Sequence, residues 1–310
     1  HGGAQRTGSS LGVASRQVAG RRSPLMSNAY LRRKVTDRVV RGACVLGTLI
    51  ALVPLFSVLY YVVVQGIGGI NLDFFTELPK PVGEPGGGMG NALLGTLKLV
   101  ALAGLFGIPP GVLAGVYLAE FGDGKFAKVV RFSADVMSGV PSITVGIFVY
   151  SLVVVTTKQF SALAGGIALA ILMLPTVTRT TEELLKLVPE SLREAALGLG
   201  VPKWRATVRV MLRTAAPGIA VGVMLSVARV AGETAPLLFT AFNNRFWSTG
   251  VNQPTASLPV NIYTNAVSPY ADWHRQAWAA ALVLLVTVLI LNVSARFLVR
   301  SRVGLSLIHI

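Results

Sequence analysis

The 310-residue sequence has few of the side chains from which metal and catalytic centres are built. It contains one cysteine, Cys44, and three histidines at distant positions, His1, His274 and His309. A single cysteine excludes both a disulfide within the chain and a thiolate metal cluster. No stretch gathers paired acids, clustered histidines or a nucleophile beside a base, so we expect no catalytic residue and no metal site, and an enzyme is disfavoured.

The sequence also lacks the GxxxxGK[ST] pattern of a P-loop. In proteins that have it, backbone N–H groups of this loop hold the nucleotide phosphates. We therefore expect this chain to bind no cofactor of its own. Any ATP-dependent activity would place ATP and Mg²⁺ on a partner subunit.

Charged residues are scarce at 13% of the chain, whereas 53% of the residues are hydrophobic and the mean hydropathy is +0.64. This composition is too apolar for an ordinary soluble domain. The apolar residues are grouped into six stretches, each long enough to cross a hydrocarbon core, which takes about 20 helical residues. The stretches lie near 42–65, 91–119, 137–157, 160–178, 214–240 and 276–297. The sequence thus predicts an all-α, polytopic integral membrane protein with six transmembrane helices.

The distribution of Lys and Arg predicts the orientation of these helices. Basic residues are concentrated before the first stretch and in every second segment after it, at 32–41, 125–131, 179–213 and 300–302. The alternate segments hold only Lys80, Lys158, Arg245 and Arg275. Cytoplasmic loops carry an excess of Lys and Arg, so we expect a multi-pass protein with both termini in the cytoplasm. Because the basic residues flank apolar stretches, the net charge of +15 indicates no nucleic acid partner.

The two ends of the chain differ in composition from the rest. Residues 1–25 are rich in Gly, Ser and Arg and contain no apolar signal core. The last residues form a short apolar tail after Arg300 and Arg302. We expect residues 1–31 to be a disordered or artefactual extension and residues 301–310 to be an artefactual tail. The transmembrane domain is expected over 32–300, with its core at about 88–298.

A polar run at 189–218 separates the fourth and fifth apolar stretches and is patterned as a short helix. Pro189 suits the first turn, where its missing N–H costs nothing. Gly200 can adopt the left-handed conformation just past a helix end, and Pro202 prevents continuation. We therefore expect a short helix held between two turns on the cytoplasmic side.

The side chains of this short helix are typical of a docking surface. Ala195 and Ala196 leave part of the helix bare, so that a groove of another protein can approach its backbone. Arg193 and Glu194 can set the register of that contact by charge. A partner protein is therefore expected to dock here.

The fifth stretch contains two charged residues, Arg229 and Glu233. Charges in a span are expensive, and a spacing of four places both on one helix face. We expect the helix to loosen at Gly232 and Pro236, which flank the glutamate. Two interpretations stay open: a buried ion pair that locks this span to a neighbour, or a place in a permeation path, which we favour because discontinuous helices recur at transport sites. Lys98 is a weaker pathway candidate that could instead snorkel to the interface.

The polar run resembles a known motif. From Glu194 the letters EAA are followed by three residues and Gly200, and then by Val210 and Leu212. This spacing is similar to that of the EAA loop in permease subunits of bacterial ABC importers. One departure is visible, because Arg213 stands where that family often has proline. The departure concerns the start of the next helix and leaves the class unchanged.

Longer segments resemble one family of such permeases, the PstA family of phosphate importers, from about Arg32 to Arg300. The segments are GGGMGNALLGTL at Gly86–Leu97, PSITVGIFVY at Pro141–Tyr150, LPTVTRTTEELLKLVPESLREAALGLG at Leu174–Gly200 and ARVAGETAPLLFTAFNNRFWS at Ala228–Ser248. The resemblance implies a MetI-like permease fold of the type I ABC importers, located in the bacterial cytoplasmic (inner) membrane.

The resemblance also implies partners and roles. The partners are a homologous PstC-like permease, two PstB-like ATPase subunits that bind ATP and Mg²⁺, an external PstS-like phosphate-binding protein, and inorganic phosphate. The EAA helix, comprising Arg193, Glu194, Ala195, Ala196 and Gly200, would receive the ATPase movement. Arg229 and Glu233 match the residues that the family connects with phosphate passage. A permease for sulfate or molybdate, or a signalling and assembly subunit, remains an alternative.

Overall fold

A computed structural model describes residues 24–84 and 86–303 of the chain, and in these ranges it contains helices, turns and loops without a strand. The all-α prediction is therefore confirmed for the described residues. Most of the extension expected at 1–31 and most of the tail expected at 301–310 lie outside them. The chain divides into two units, 1–58 and 59–310.

The described part of the first unit is a single helix, which belongs to α1 (Pro24–Ile67). From Tyr30 to Val58 its side chains are exposed, apart from the half-buried Leu52. So long an exposed apolar helix would be unstable in water, whereas it would be stable in the hydrocarbon core of a lipid bilayer. This helix suits a membrane environment.

The second unit contains the remaining helices, which we number along the chain. They are α2 (Leu72–Thr76), α3 (Gly90–Glu120), α4 (Lys125–Gly139), α5 (Ser142–Thr157), α6 (Ala162–Lys186), α7 (Glu190–Gly198), α8 (Lys203–Val230), α9 (Ala235–Thr240), α10 (Leu258–Ala266) and α11 (Ala271–Val303). Five segments are long and apolar enough to cross a membrane: Tyr30–Ile67 within α1, α3, α6, α8 and Ala271–Ser294 within α11. They correspond to five of the six predicted stretches.

The third predicted stretch, 137–157, is not one straight helix. Helices α4 and α5 meet there at an angle of 105°, and Val140 and Pro141 between them are extended, with ψ of 129° and 134°. A residue that precedes proline is driven out of the helical region, and proline donates no N–H. The structure thus has five candidate spans, or six if the bent pair counts as one.

Helices α3 and α6 form the centre of the second unit and approach each other closely through glycine. A Cβ on Gly111 would lie 2.9 Å from Val177 Cβ, and one on Gly115 would lie 2.5 Å from Thr181 Cβ. The spacing of four residues puts Gly107, Gly111 and Gly115 on one face of α3, as in the small-residue interfaces of membrane helices. We call this contact the α3–α6 seam. Leu99, Ala103, Leu169, Met173 and Val177 belong to the apolar core beside it.

Candidate functional site

The short docking helix is present as α7. Pro189 precedes it in an extended conformation, and Gly200 follows it with φ of +76°. Backbone N–H groups of Gly200 and Val201 donate to the carbonyls of Leu197 and Ala196 and so satisfy the end of the helix. The sequence-based prediction of its two ends is confirmed.

The surface of α7 is only partly as expected. Glu194 and Ala195 are exposed, but Ala196 is buried against the chain, so only one of the two alanines is open to a partner. Two apolar side chains beside the helix are strongly exposed, Leu187 at 76% and Leu199 at 84%. Sequence reasoning missed this apolar margin, although leucines that flank a polar helix were a visible signal.

Arg193 of α7 pairs within the chain rather than pointing to a partner. Its Nη2 donates to Glu120 Oε1 at 2.8 Å, and its Nε lies 3.4 Å from Glu190 Oε1. The Glu120 side chain is only 2% exposed and stands at the last residue of α3. Arg193 thus forms ion pairs within the chain while Glu194 stays exposed, and the register role expected for Arg193 stays a prediction.

A second ion pair lies near the same end of α3. Arg131 of α4 donates from Nε to Glu182 Oε1 at 2.7 Å, from Nη1 to the Gly122 carbonyl at 2.8 Å and from Nη2 to the Leu118 carbonyl at 3.1 Å. Glu182 is buried in α6 and also accepts a hydrogen bond from Lys186 at 2.6 Å. Sequence reasoning missed this cluster, because it joins residues of four separate segments.

Arg229 and Glu233 lie at a break in the chain. Helix α8 ends at Val230, Ala231 and Gly232 form a turn, and α9 begins at Ala235. The expected loosening is confirmed, and for the same reason the helix of the span predicted at 214–240 ends at Val230. Glu233 consequently does not share a helix face with Arg229.

The surroundings of Arg229 and Glu233 bear on whether they form a buried ion pair or lie in a permeation path. Arg229 is exposed and Glu233 is half-buried. Within the described part of the chain, no ion pair of 4.0 Å or less joins either of them to another residue. In that part of the chain, no ion pair therefore ties Arg229 or Glu233 to a neighbouring helix.

The break is held in place by α5. A Cβ on Gly146 would lie 2.6 Å from Pro236 Cα, so the first turn of α9 sits directly on the backbone of α5. Only glycine permits this approach. The turn that carries Arg229 and Glu233 is thus supported by packing on one side.

Lys98 is bound to a loop. Its Nζ donates to the carbonyls of Ser248 and Gly250, the latter at 3.2 Å. The side chain is half-buried and braces α3 against the segment that follows α9. It lies among backbone carbonyls, and nothing in this contact supports its weak assignment to a pathway.

Comparison with known proteins identifies the family. The family model described as "Binding-protein-dependent transport system inner membrane component" matches residues 111–303. The phosphate transport system permease protein PstA of Yersinia pestis is 46% identical over 265 residues, covering 85% of this chain and 90% of that protein. Its counterpart in Haemophilus influenzae is 44% identical over 276 residues, covering 88% and 98%.

Solved structures agree on the fold. An inward-facing structure of the MetNI methionine ABC transporter superposes with a TM-score of 0.55 at 17% identity, covering 69% of this chain and 96% of that one. At this identity the likeness shows the fold alone, and it confirms the predicted MetI-like fold. From the family match and these relatives together, the chain belongs to the binding-protein-dependent transport system inner membrane components and, among them, to the PstA family of phosphate transport permeases.

Proposed function

We propose that this chain is the permease subunit of an ATP-driven importer of inorganic phosphate. The observation that carries the proposal is its likeness to PstA proteins along 85% or more of its length in two relatives, in a chain with a MetI-like fold. The chain would act in the bacterial inner membrane with its basic segments, and both termini, on the cytoplasmic side.

Helix α7 is the proposed contact with the ATPase subunits. It is a short helix with two well-defined ends, and it presents Glu194, Ala195 and the exposed Leu199. An exposed apolar margin beside a small residue suits a close helix-in-groove contact. ATP and Mg²⁺ are bound by two PstB-like subunits in this proposal, since the sequence has no P-loop.

Arg229 is the proposed phosphate contact. It is exposed at the end of α8, where its planar guanidinium can offer two parallel N–H donors to an oxyanion. In a cavity closed by a second, PstC-like permease, this attraction would be stronger than in water. The chain supplies one wall of the path, and the second permease supplies the other.

Glu233 has a different role in the proposal. Its half-buried carboxylate follows Arg229 by four residues across a turn, so it contributes negative charge to the same region. Conduction requires binding that is weak enough to release the ion. The carboxylate would limit phosphate retention and would orient the guanidinium when the path is empty.

The test is uptake of labelled phosphate into membrane vesicles that contain all subunits and the external PstS-like binding protein. We expect ATP-dependent uptake that unlabelled phosphate suppresses and that equal sulfate or molybdate leaves unchanged. Suppression by sulfate or molybdate would instead assign the chain to another oxyanion. Phosphate-dependent signalling without uptake would make it a signalling or assembly subunit.

A further inference from the structure

We propose that the carboxyl end of α3 is a latch through which movement of α7 reaches the membrane helices. The α3 latch consists of the ion pairs Glu120–Arg193 and Arg131–Glu182, together with the carbonyls of Leu118 and Gly122. This inference rests on the proposed function, because it assigns to α7 a route for the ATPase movement within this chain.

The first half of the latch attaches α7 to α3. Arg193 and Glu120 are separated by 73 residues, yet their side chains meet at 2.8 Å, with the carboxylate 2% exposed. Lys203, at the start of α8, adds a second attachment. Its Nζ donates to the Glu120 carbonyl at 3.4 Å and lies 4.5 Å from the centre of the Phe121 ring. Arg193 of α7 and Lys203 of α8 are therefore both attached to Glu120, the last residue of α3.

The second half attaches the same end of α3 to α4 and α6. One guanidinium, that of Arg131, donates to carbonyls on either side of Glu120, at Leu118 and Gly122, and to the buried Glu182. The fork of an Arg side chain is rigid, so its three contacts fix the relative positions of three segments. Helices α4, α6 and α7 thus all converge on five residues, 118–122.

Burial of the Glu120 carboxylate makes its ion pair with Arg193 suitable for passing movement of α7 to α3. A carboxylate removed from water needs its cation, so separating Arg193 from Glu120 is costly. Under load from a partner, α7 then carries the end of α3 with it instead of sliding past. Chains of ion pairs and hydrogen bonds between rigid elements are one way in which coupling is carried between distant sites. The latch residues are positioning residues: they touch neither phosphate nor ATP in this proposal.

The experiment measures ATP hydrolysed per phosphate imported, in vesicles that contain the complete complex. In R193Q the ATPase subunits should still co-purify and hydrolyse ATP, while the ratio rises about five- to tenfold, the lower end of the range of ordinary coupling free energies. The reversed pair, E120R with R193E, should bring the ratio back toward the native value. The matched control is D123N, which removes an exposed carboxylate from the loop between α3 and α4 and should leave the ratio unchanged.

Three results would overturn the latch. One is an unchanged ratio in R193Q. Another is loss of ATPase binding in R193Q, which would make Arg193 a docking contact. The third is a ratio that stays as high in the reversed pair as in R193Q. That result, or a failure of both variants to insert into the membrane, would assign the ion pair to folding alone. The docking proposal is tested separately with A195W: coupling that survives this change removes α7 as the docking site.

Discussion

At the scale of single residues, the arginines of this chain differ in whether the protein itself neutralises them. Arg131 and Arg193 face buried carboxylates at 2.7 and 2.8 Å. Arg229 is exposed, and within the described residues no carboxylate lies within 4.0 Å of it. A guanidinium that is already paired has little attraction left for an anion, whereas Arg229 stays available for the phosphate contact that we propose for it.

We therefore expect R229K to lower phosphate uptake roughly tenfold or more while the complex still assembles. The lysine keeps the charge but loses the bidentate fork, and a hydrogen bond to a charged group contributes about 1.5–3 kcal/mol. The measurements are labelled uptake in vesicles and co-purification of the partner subunits. The matched control is R275K, since Arg275 is an exposed arginine that pairs with Asp272 at 3.1 Å. Full uptake in R229K would place Arg229 outside the path.

Gly200 gives a second prediction at this scale. Its φ of +76° is strained for any residue with a Cβ, by about 1–2 kcal/mol. We expect G200V to distort the end of α7 and to raise the ATP consumed per phosphate imported, without preventing membrane insertion. The control is G198A, because Gly198 is helical and a Cβ there meets no atom within 4 Å. Equal coupling in G200V and G198A would contradict the prediction.

At the scale of helices, sequence patterns located most elements and the residues at which two of them are interrupted. Composition and the residues at the helix ends were enough to predict α7, because Pro189 and Gly200 each act on the backbone beside them. The break after Val230 was predictable from Gly232 and Pro236. Pro141 itself marks the bend in the apolar run at 137–157, because proline donates no N–H, but composition alone does not give its angle of 105°.

Contacts between helices could not be predicted in the same way. The pairing of Glu120 with Arg193 depends on how the ends of α3 and α7 meet, and no local pattern encodes a contact across 73 residues. Each residue alone is an ordinary charge, Glu120 after an apolar stretch and Arg193 within the polar run at 189–218. The latch therefore emerged only from the three-dimensional arrangement, whereas Arg229 was already notable as a charge inside a span.

The α3–α6 seam gives a prediction at this scale. We expect G115A to destabilise the assembled protein by about 1–3 kcal/mol, the usual cost of overpacking, because the new methyl would lie 2.5 Å from Thr181 Cβ and 2.7 Å from the Thr178 carbonyl. The measurement is the thermal midpoint in detergent. The control is G104A on the same helix, where the nearest atom is the end of the Ile108 side chain at 3.3 Å. Equal midpoints would contradict close packing at the seam.

At the scale of the whole molecule, the asymmetry of basic residues predicts the orientation in the membrane. We expect a cysteine at Lys158 to react with a membrane-impermeant maleimide added outside intact cells, and a cysteine at Lys125 to react only after the membrane is opened. Replacing the single native Cys44 with alanine first provides a clean background, and that variant alone is the control. The opposite labelling pattern would reverse the proposed topology.

Helix α3 has one further consequence. It is 31 residues long, which at 1.5 Å per residue corresponds to about 46 Å. In its third turn Lys98 holds the loop at Ser248 and Gly250, and at its last residue Glu120 holds α7. The glycine contacts with α6 stiffen the length between these attachments. In the proposed importer, α3 would therefore carry a movement of α7 to the loop at Ser248 and Gly250 on the opposite side of the membrane.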